Sequence, residues 1–188
     1  MKGLEQARWN FFAKLYIKDV EAFAIKEIFP KFKLASVNLD WSPKRRSSRG
    51  GMYADGPGIN MAMYPLCRER DGEIYRVYEY KSFDSDPYIG GFYTRDKHDR
   101  LRMVIVHEIA HALQYYSYRL NNFRCKPHGT AWKNLYKRLR EEFINPRLED
   151  QTELKQEFEN IKKQIESGKF ELITDDSLNR LLKRAASK

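Results

Sequence analysis

The sequence predicts an α+β fold: helices packed on a small, mostly antiparallel sheet, followed by a charged helical C-terminal extension. Strand-like runs are grouped between a first helix and two later ones. Residues 101–113 are apolar in nearly every direction around a helix axis, which marks a buried helix. A last apolar stripe at helical spacing follows Pro146 in a segment of balanced charge.

The elements follow in order. A helix is expected over residues 4–28, stopped by Pro30, and then a strand over 36–41. Asp71-Gly72 is a hairpin signal between strands near 59–69 and 73–82. A loop rich in Asp, Pro and Gly leads to a helix over 96–120, ended by Asn121-Asn122. Gly129 permits a sharp turn, Thr130 caps a helix over 130–143, and Pro146 marks a boundary. Beyond it Leu154, Phe158, Ile161 and Ile165 line one helix face; Ser167-Gly168 ends that helix, and a final one starts near Asp176. The stripe reads as a helix packed on its own domain, not an oligomerisation seam, so a monomer is expected. This gives a domain over residues 1–146 and an extension over 147–188, with no internal repeat.

Composition narrows the class. A chain of 188 residues with 41% hydrophobic content suits one modest domain with an appendage. The most apolar stretch contains Arg102, His107, Glu108 and His111, so nothing reads as a membrane span. Met1-Lys2-Gly3-Leu4-Glu5 opens an amphipathic helix and not a signal peptide. Cys67 and Cys125 are the only cysteines, which excludes a disulfide scaffold and suggests a reducing, cytoplasmic setting.

The net charge of +9 is unevenly spread. Residues 1–50 carry +6 and residues 101–146 carry +5, whereas 51–100 carry −2 and 147–188 carry 0. Two clusters stand out: Lys44, Arg45, Arg46 and Arg49 in a Ser- and Gly-containing loop, and Lys133, Lys137, Arg138 and Arg140 on the helix after residue 130. Both suit phosphate contacts with single- or double-stranded DNA, and both suit a merely solvated surface.

The chemistry concentrates in His107-Glu108-Ile109-Ala110-His111. On a helix, residues i and i+4 are about 40° apart around the axis and about 6 Å along it. Two imidazoles so placed can reach one ion at roughly 2.0–2.1 Å each. Glu108, about 100° from His107, sits at the margin of that face, where it can hold a water without ligating the metal. In a buried helix three ionisable groups are costly unless satisfied, and a divalent cation satisfies the imidazoles.

A catalytic zinc needs a third protein ligand and one open position. Gln114 and Ser117 stand where a metzincin has glycine and histidine. His98 lies about 13 Å before His107 along a helix and reads as a surface histidine. His128 is within reach, because residues 121–127 can span up to about 24 Å while the helix carries the chain only about 13 Å past His111. Glu141 or Glu142 would serve if a later helix supplied a carboxylate, but they read more simply as a solvated face. Cys125, three residues before His128, is taken as a free thiol; as a fourth ligand it would make the site closed and structural.

His107-Glu108-Ile109-Ala110-His111 followed by His128-Gly129-Thr130-Ala131-Trp132 resembles the SprT-like, or Spartan-type, zinc metalloproteases. Phe29-Pro30, the Val37-Asn38-Leu39-Asp40-Trp41 strand, the Gly50-Gly51 turn and the Ile59-Asn60-Met61 strand follow that family's order, so the resemblance covers roughly residues 20–143. It lacks the four-cysteine ribbon that many relatives append. The resemblance implies a zincin-like domain and proteins bound or crosslinked to DNA as substrates.

The resulting expectation is a zinc peptidase in which His107, His111 and His128 hold Zn2+ and Glu108 is the general base. The strand over residues 59–63 is expected to be an edge that receives an extended substrate. Tyr115, Tyr116 and Tyr136 are candidates for stabilising the oxyanion. Two rivals are a peptidase unrelated to DNA and a basic nucleic-acid-binding protein with a structural metal.

Overall fold

A computed structural model describes residues 3–67, 72–121 and 126–167. The chain divides into two compact units, Met1–Glu149 and Asp150–Lys188.

The first unit opens with α1 (Gly3–Glu27), whose Trp9, Ala13, Ile17, Val20 and Ala24 make one buried stripe at helical spacing. Phe29 N–H closes the helix on Ala24 O, and the Glu21 carboxylate accepts from Leu34 N–H at 2.6 Å. Then come β1 (Ser36–Asp40), β2 (Arg49–Tyr53) and β3 (Gly56–Ala62), in spatial order β1-β3-β2. β1 runs parallel to β3 and β2 antiparallel to it. A second pair, β4 (Tyr75–Val77) and β5 (Phe92–Thr94), is antiparallel. Two of the three strand pairings are thus antiparallel, as the α+β expectation required.

Four local expectations are corrected. Residues 59–69 are not one strand: after Ala62 the chain makes a one-turn helix, α2 (Met63–Leu66). Pro65 fits the first turn of a helix, where a missing N–H costs nothing, but not a central strand. The hairpin expected between strands near 59–69 and 73–82 is not among the strand pairings; the two-residue turn Ala54-Asp55 joins β2 to β3 instead, with Tyr53 paired to Gly56 at φ +132, and Asp71 lies outside the described residues. β4 accordingly pairs with β5. Gly50-Gly51 lies within β2 and is not a turn. β3 is bonded on both sides, so residues 59–63 offer no edge to a substrate.

The central element is α3 (Asp99–Asn121), buried along nearly its whole length to Gln114. Leu101, Ile105, Ile109 and Leu113 are among its fully buried side chains. Buried Asp99 is satisfied by Thr94 Oγ1 at 2.7 Å and Arg102 Nη1 at 2.6 Å, which fixes the start of the helix against β5. α4 (Thr130–Phe143) begins where expected, but its N-cap is Gly129, without a side-chain cap, instead of Thr130. Trp132, Tyr136, Leu139 and Arg140 form its buried face. A short 3-10 turn, Asn145–Arg147, contains Pro146.

In the second unit, α5 (Gln151–Glu166) is capped by Asp150, whose carboxylate accepts from Thr152 N–H at 2.8 Å and Glu153 N–H at 3.2 Å. The helix expected near Asp176 and the residue Cys125 lie outside the described residues.

Candidate metal centre

α3 presents His107 and His111 one turn apart, with ring centroids 5.0 Å from each other. His128 arrives from a tight return. Gln114 Nε2 donates to the Lys126 carbonyl at 3.1 Å, tying the incoming chain to α3, and Gly129 N–H closes a turn on the same carbonyl at 3.0 Å. The left-handed position in this turn is His128 itself, at φ 59, and not the glycine after it. A non-glycine residue held there carries a conformational cost of order 1–3 kcal/mol. Such outliers cluster at functional sites.

The three rings converge. His128 Nε2 lies 2.9 Å from His111 Nε2 and 3.2 Å from His107 Nε2, and the ligand atoms of all three sit within 4.8 Å of one another. Tetrahedral zinc with 2.0–2.1 Å bonds would separate its nitrogens by roughly 3.3 Å. One N–H cannot serve two neighbours at once, so three crowded Nε2 atoms are poorly satisfied by each other and well satisfied by a cation. Burial, then the charge of the neighbouring histidines, pushes His111 down to about 3; burial, then His107, lowers His128 as well. Both are therefore neutral at pH 7, the form that binds metal. The residues fit a divalent metal of the zinc type.

A carboxylate absent from the sequence reading completes the surroundings. Glu79, in the segment after β4, places Oε1 at 3.3 Å from His107 Nδ1, while Oε2 accepts from the Tyr136 hydroxyl at 2.6 Å. Burial alone would raise its pKa, but the contacts with His107, Tyr136 and the Tyr80 backbone outweigh that and hold it below the ordinary value. With Nδ1 facing Glu79, His107 turns Nε2 to the cluster, 3.2 Å from His128 Nε2. Trp132, fully buried, closes the far side, with its ring 4.7, 5.2 and 4.6 Å from His107, His111 and His128.

Glu108 does not join the histidines. Its Oε2 accepts from Gly50 N–H at 2.5 Å, so β2 positions the carboxylate. Gly50 must be glycine there, because a Cβ would meet the Glu108 carbonyl oxygen at 1.8 Å. Burial raises the Glu108 pKa, opposed by His107 and by the Gly50 N–H. Beside Glu108 and His107 opens a cavity of about 300 Å³, lined also by Ser47, Ser48, Met103, Glu79 and Tyr80.

The other expected residues fall elsewhere. His98 is half-buried, not a surface group: its ring lies tilted 4.6 and 4.4 Å from those of Trp9 and Phe12, and it pairs with Asp96 at 3.1 Å. Tyr116 packs on Phe29 and Phe32, Tyr115 lies against Tyr118, and the Tyr136 hydroxyl is engaged by Glu79. Glu141 and Glu142 are exposed, and Glu141 pairs with Lys137. Lys44, Arg46 and Arg49 are exposed, with Arg46 on the cavity wall, while Arg45 pairs with Asp40 at 3.6 Å. Lys133 and Lys137 lie over the rings of Phe83 and Tyr88. Arg140 is buried against Gly90 O and Asn145, so it leaves the basic surface cluster.

Fold and site together define an α+β domain with a three-histidine cluster able to hold a metal ion. Residues 91–169 match the SprT-like family model, a span that contains His107, Glu108, His111 and His128, and the resemblance read from those motifs holds over it. No curated protein and no solved structure matches the chain. Among the described residues no helix is long and apolar enough to cross a membrane.

Proposed function

We propose that this protein is a zinc-dependent peptidase in which His107, His111 and His128 hold the ion and Glu108 is the general base. The observation that carries the reading is the contrast within one helix turn: three imidazoles converge while Glu108, next in sequence, is drawn aside to Gly50 and faces the cavity. Zinc bound there would polarise the scissile carbonyl and lower the pKa of a water to about 7. Glu108 takes the proton of the attacking water and returns it to the leaving amine. Its raised pKa suits both halves of that task. Glu79 orients the His107 ring, and the wall of Trp132 keeps water from the back of the cluster.

The substrates proposed are proteins associated with DNA, as the family resemblance implies. Exposed Lys44, Arg46 and Arg49 precede and open β2, the strand that holds Glu108, which supports nucleic acid lying beside the cavity. The test is metal content and hydrolysis by wild type and Glu108→Gln, each without DNA and with single- or double-stranded DNA. Zinc in both proteins with hydrolysis in wild type alone, stimulated by DNA, is expected. Turnover indifferent to DNA leaves a peptidase of another substrate class; zinc without turnover leaves a structural metal.

A further inference from the structure

A zinc ion held by the three histidines would polarise the scissile carbonyl, and a protein hydrogen-bond donor to the same oxygen would add to that stabilisation. When water adds to a peptide carbonyl, a C–O bond forms and the C=O π pair moves onto the carbonyl oxygen. Glu108 is occupied with the water's proton, so it cannot also stabilise that oxygen. The Tyr136 hydroxyl is engaged by Glu79, and Tyr115 and Tyr116 are not among the residues that line the cavity. Tyr78 lines the cavity, but the Arg76 guanidinium sits 5.0 Å over its ring.

Tyr80 is different in being both fixed and open. Its backbone N–H donates to Glu79 Oε1 at 3.0 Å, the same oxygen that faces His107 Nδ1, so its place is tied to the histidine cluster. Its ring lies 4.3 Å from the His128 ring and 5.3 Å from that of His107. It lines the cavity together with Glu108, yet remains 51% exposed. Ring packing alone would be met by phenylalanine. The hydroxyl adds a donor, and among the described residues no side chain or carbonyl engages it.

We propose that Tyr80 is a catalytic residue whose phenolic O–H donates a hydrogen bond to the scissile carbonyl oxygen as that oxygen becomes anionic. The hydroxyl keeps its proton throughout. The tetrahedral species collapses when the oxygen's electron pair re-forms the carbonyl, the C–N bond breaks, and the amine leaves with the proton held by Glu108. The assignment rests on the peptidase reading.

The test compares zinc-loaded wild type with Tyr80→Phe, which keeps the ring against His128. Hydrolysis of an internally quenched peptide mixture, affinity for a phosphinic tripeptide that mimics the tetrahedral species, and zinc affinity by chelator competition are measured in parallel. The expected result is a fall in kcat of about 100-fold or more with KM little changed. Phosphinic affinity should fall at least tenfold, with zinc affinity unchanged. Wild-type kcat and phosphinic affinity in Tyr80→Phe overturn the role, and so does a zinc affinity that falls in step with kcat, which would make Tyr80 a support for the metal. If zinc-loaded wild type neither cleaves the mixture nor binds the phosphinic peptide, the peptidase reading itself fails, an outcome read without the variant. Tyr80→Gln restores a donor without the ring; partial recovery of kcat over Tyr80→Phe supports the role, and none opposes it.

Discussion

At the scale of single residues, the proposed mechanism separates the residues that would hold a metal from the one that would move a proton. Glu108 bonds to Gly50 and not to the histidines, so Glu108→Gln leaves the three imidazoles intact. Zinc stoichiometry should be that of wild type while hydrolysis drops by about 100-fold or more. Wild-type turnover in the zinc-loaded variant would remove Glu108 from the mechanism. Glu79 tests the opposite function. It contacts His107 Nδ1 and the Tyr136 hydroxyl from a buried position, so Glu79→Gln weakens the orientation of one ligand without deleting any. Zinc affinity should fall roughly 10- to 100-fold. A chelator competition giving the wild-type constant would show that His107 needs no such partner.

At the scale of elements, β2 is as much part of the site as α3. Gly50→Ala places a methyl group against the Glu108 carbonyl, forcing strand and helix apart. A loss of about 1–3 kcal/mol in urea denaturation is expected, with a larger proportional loss of activity. The corner between β5 and α3 depends on Asp96, which meets Arg102 at 2.6 Å and His98 at 3.1 Å. Burial works against it, but the Arg102 hydrogen bond and the other partners bring its pKa down to about 2. The folded carboxyl is thus more acidic than the unfolded one, near 3.9. Its stabilisation is complete above that value and is lost as pH falls toward 2. Asp96→Asn should melt below wild type at pH 7, by an amount kept small by exposure, and the gap should close by pH 2. A constant gap would locate the effect in packing. The long helices were legible because periodicity reports burial directly, and α4 starts and ends where its pattern does. The histidines were legible because their spacing is itself the geometry. Glu79 was not: a carboxylate between Tyr78 and Tyr80 has no spacing relation to His107, and only the β4–β5 pairing brings it there. The hairpin was misplaced because the chain holds two Asp-Gly pairs, and local sequence does not say which lies beside a strand turn.

For the whole molecule, charge and the proposed metal are the two features that act beyond one element. Lys44, Arg46 and Arg49 are exposed, whereas Arg45 is held by Asp40, so reversing the first three to glutamate removes the free charge and spares the ion pair. DNA binding should weaken on any sequence, and the slope of log affinity against log salt should become shallower by roughly 1–3. An unchanged slope would reduce that loop to a solvated surface. The ion, for its part, would join α3 to the turn before α4 through a residue in a costly backbone conformation. His128 stands at φ 59 in a turn that the Gln114 and Gly129 hydrogen bonds to the Lys126 carbonyl already hold. At about 1–3 kcal/mol, that cost falls on folding and not on metal binding, so the third imidazole would meet an ion without a further backbone change. The turn is thus preorganised: its imidazole already lies 2.9 Å from His111 Nε2 and 3.2 Å from His107 Nε2, where an ion would find all three ligands assembled.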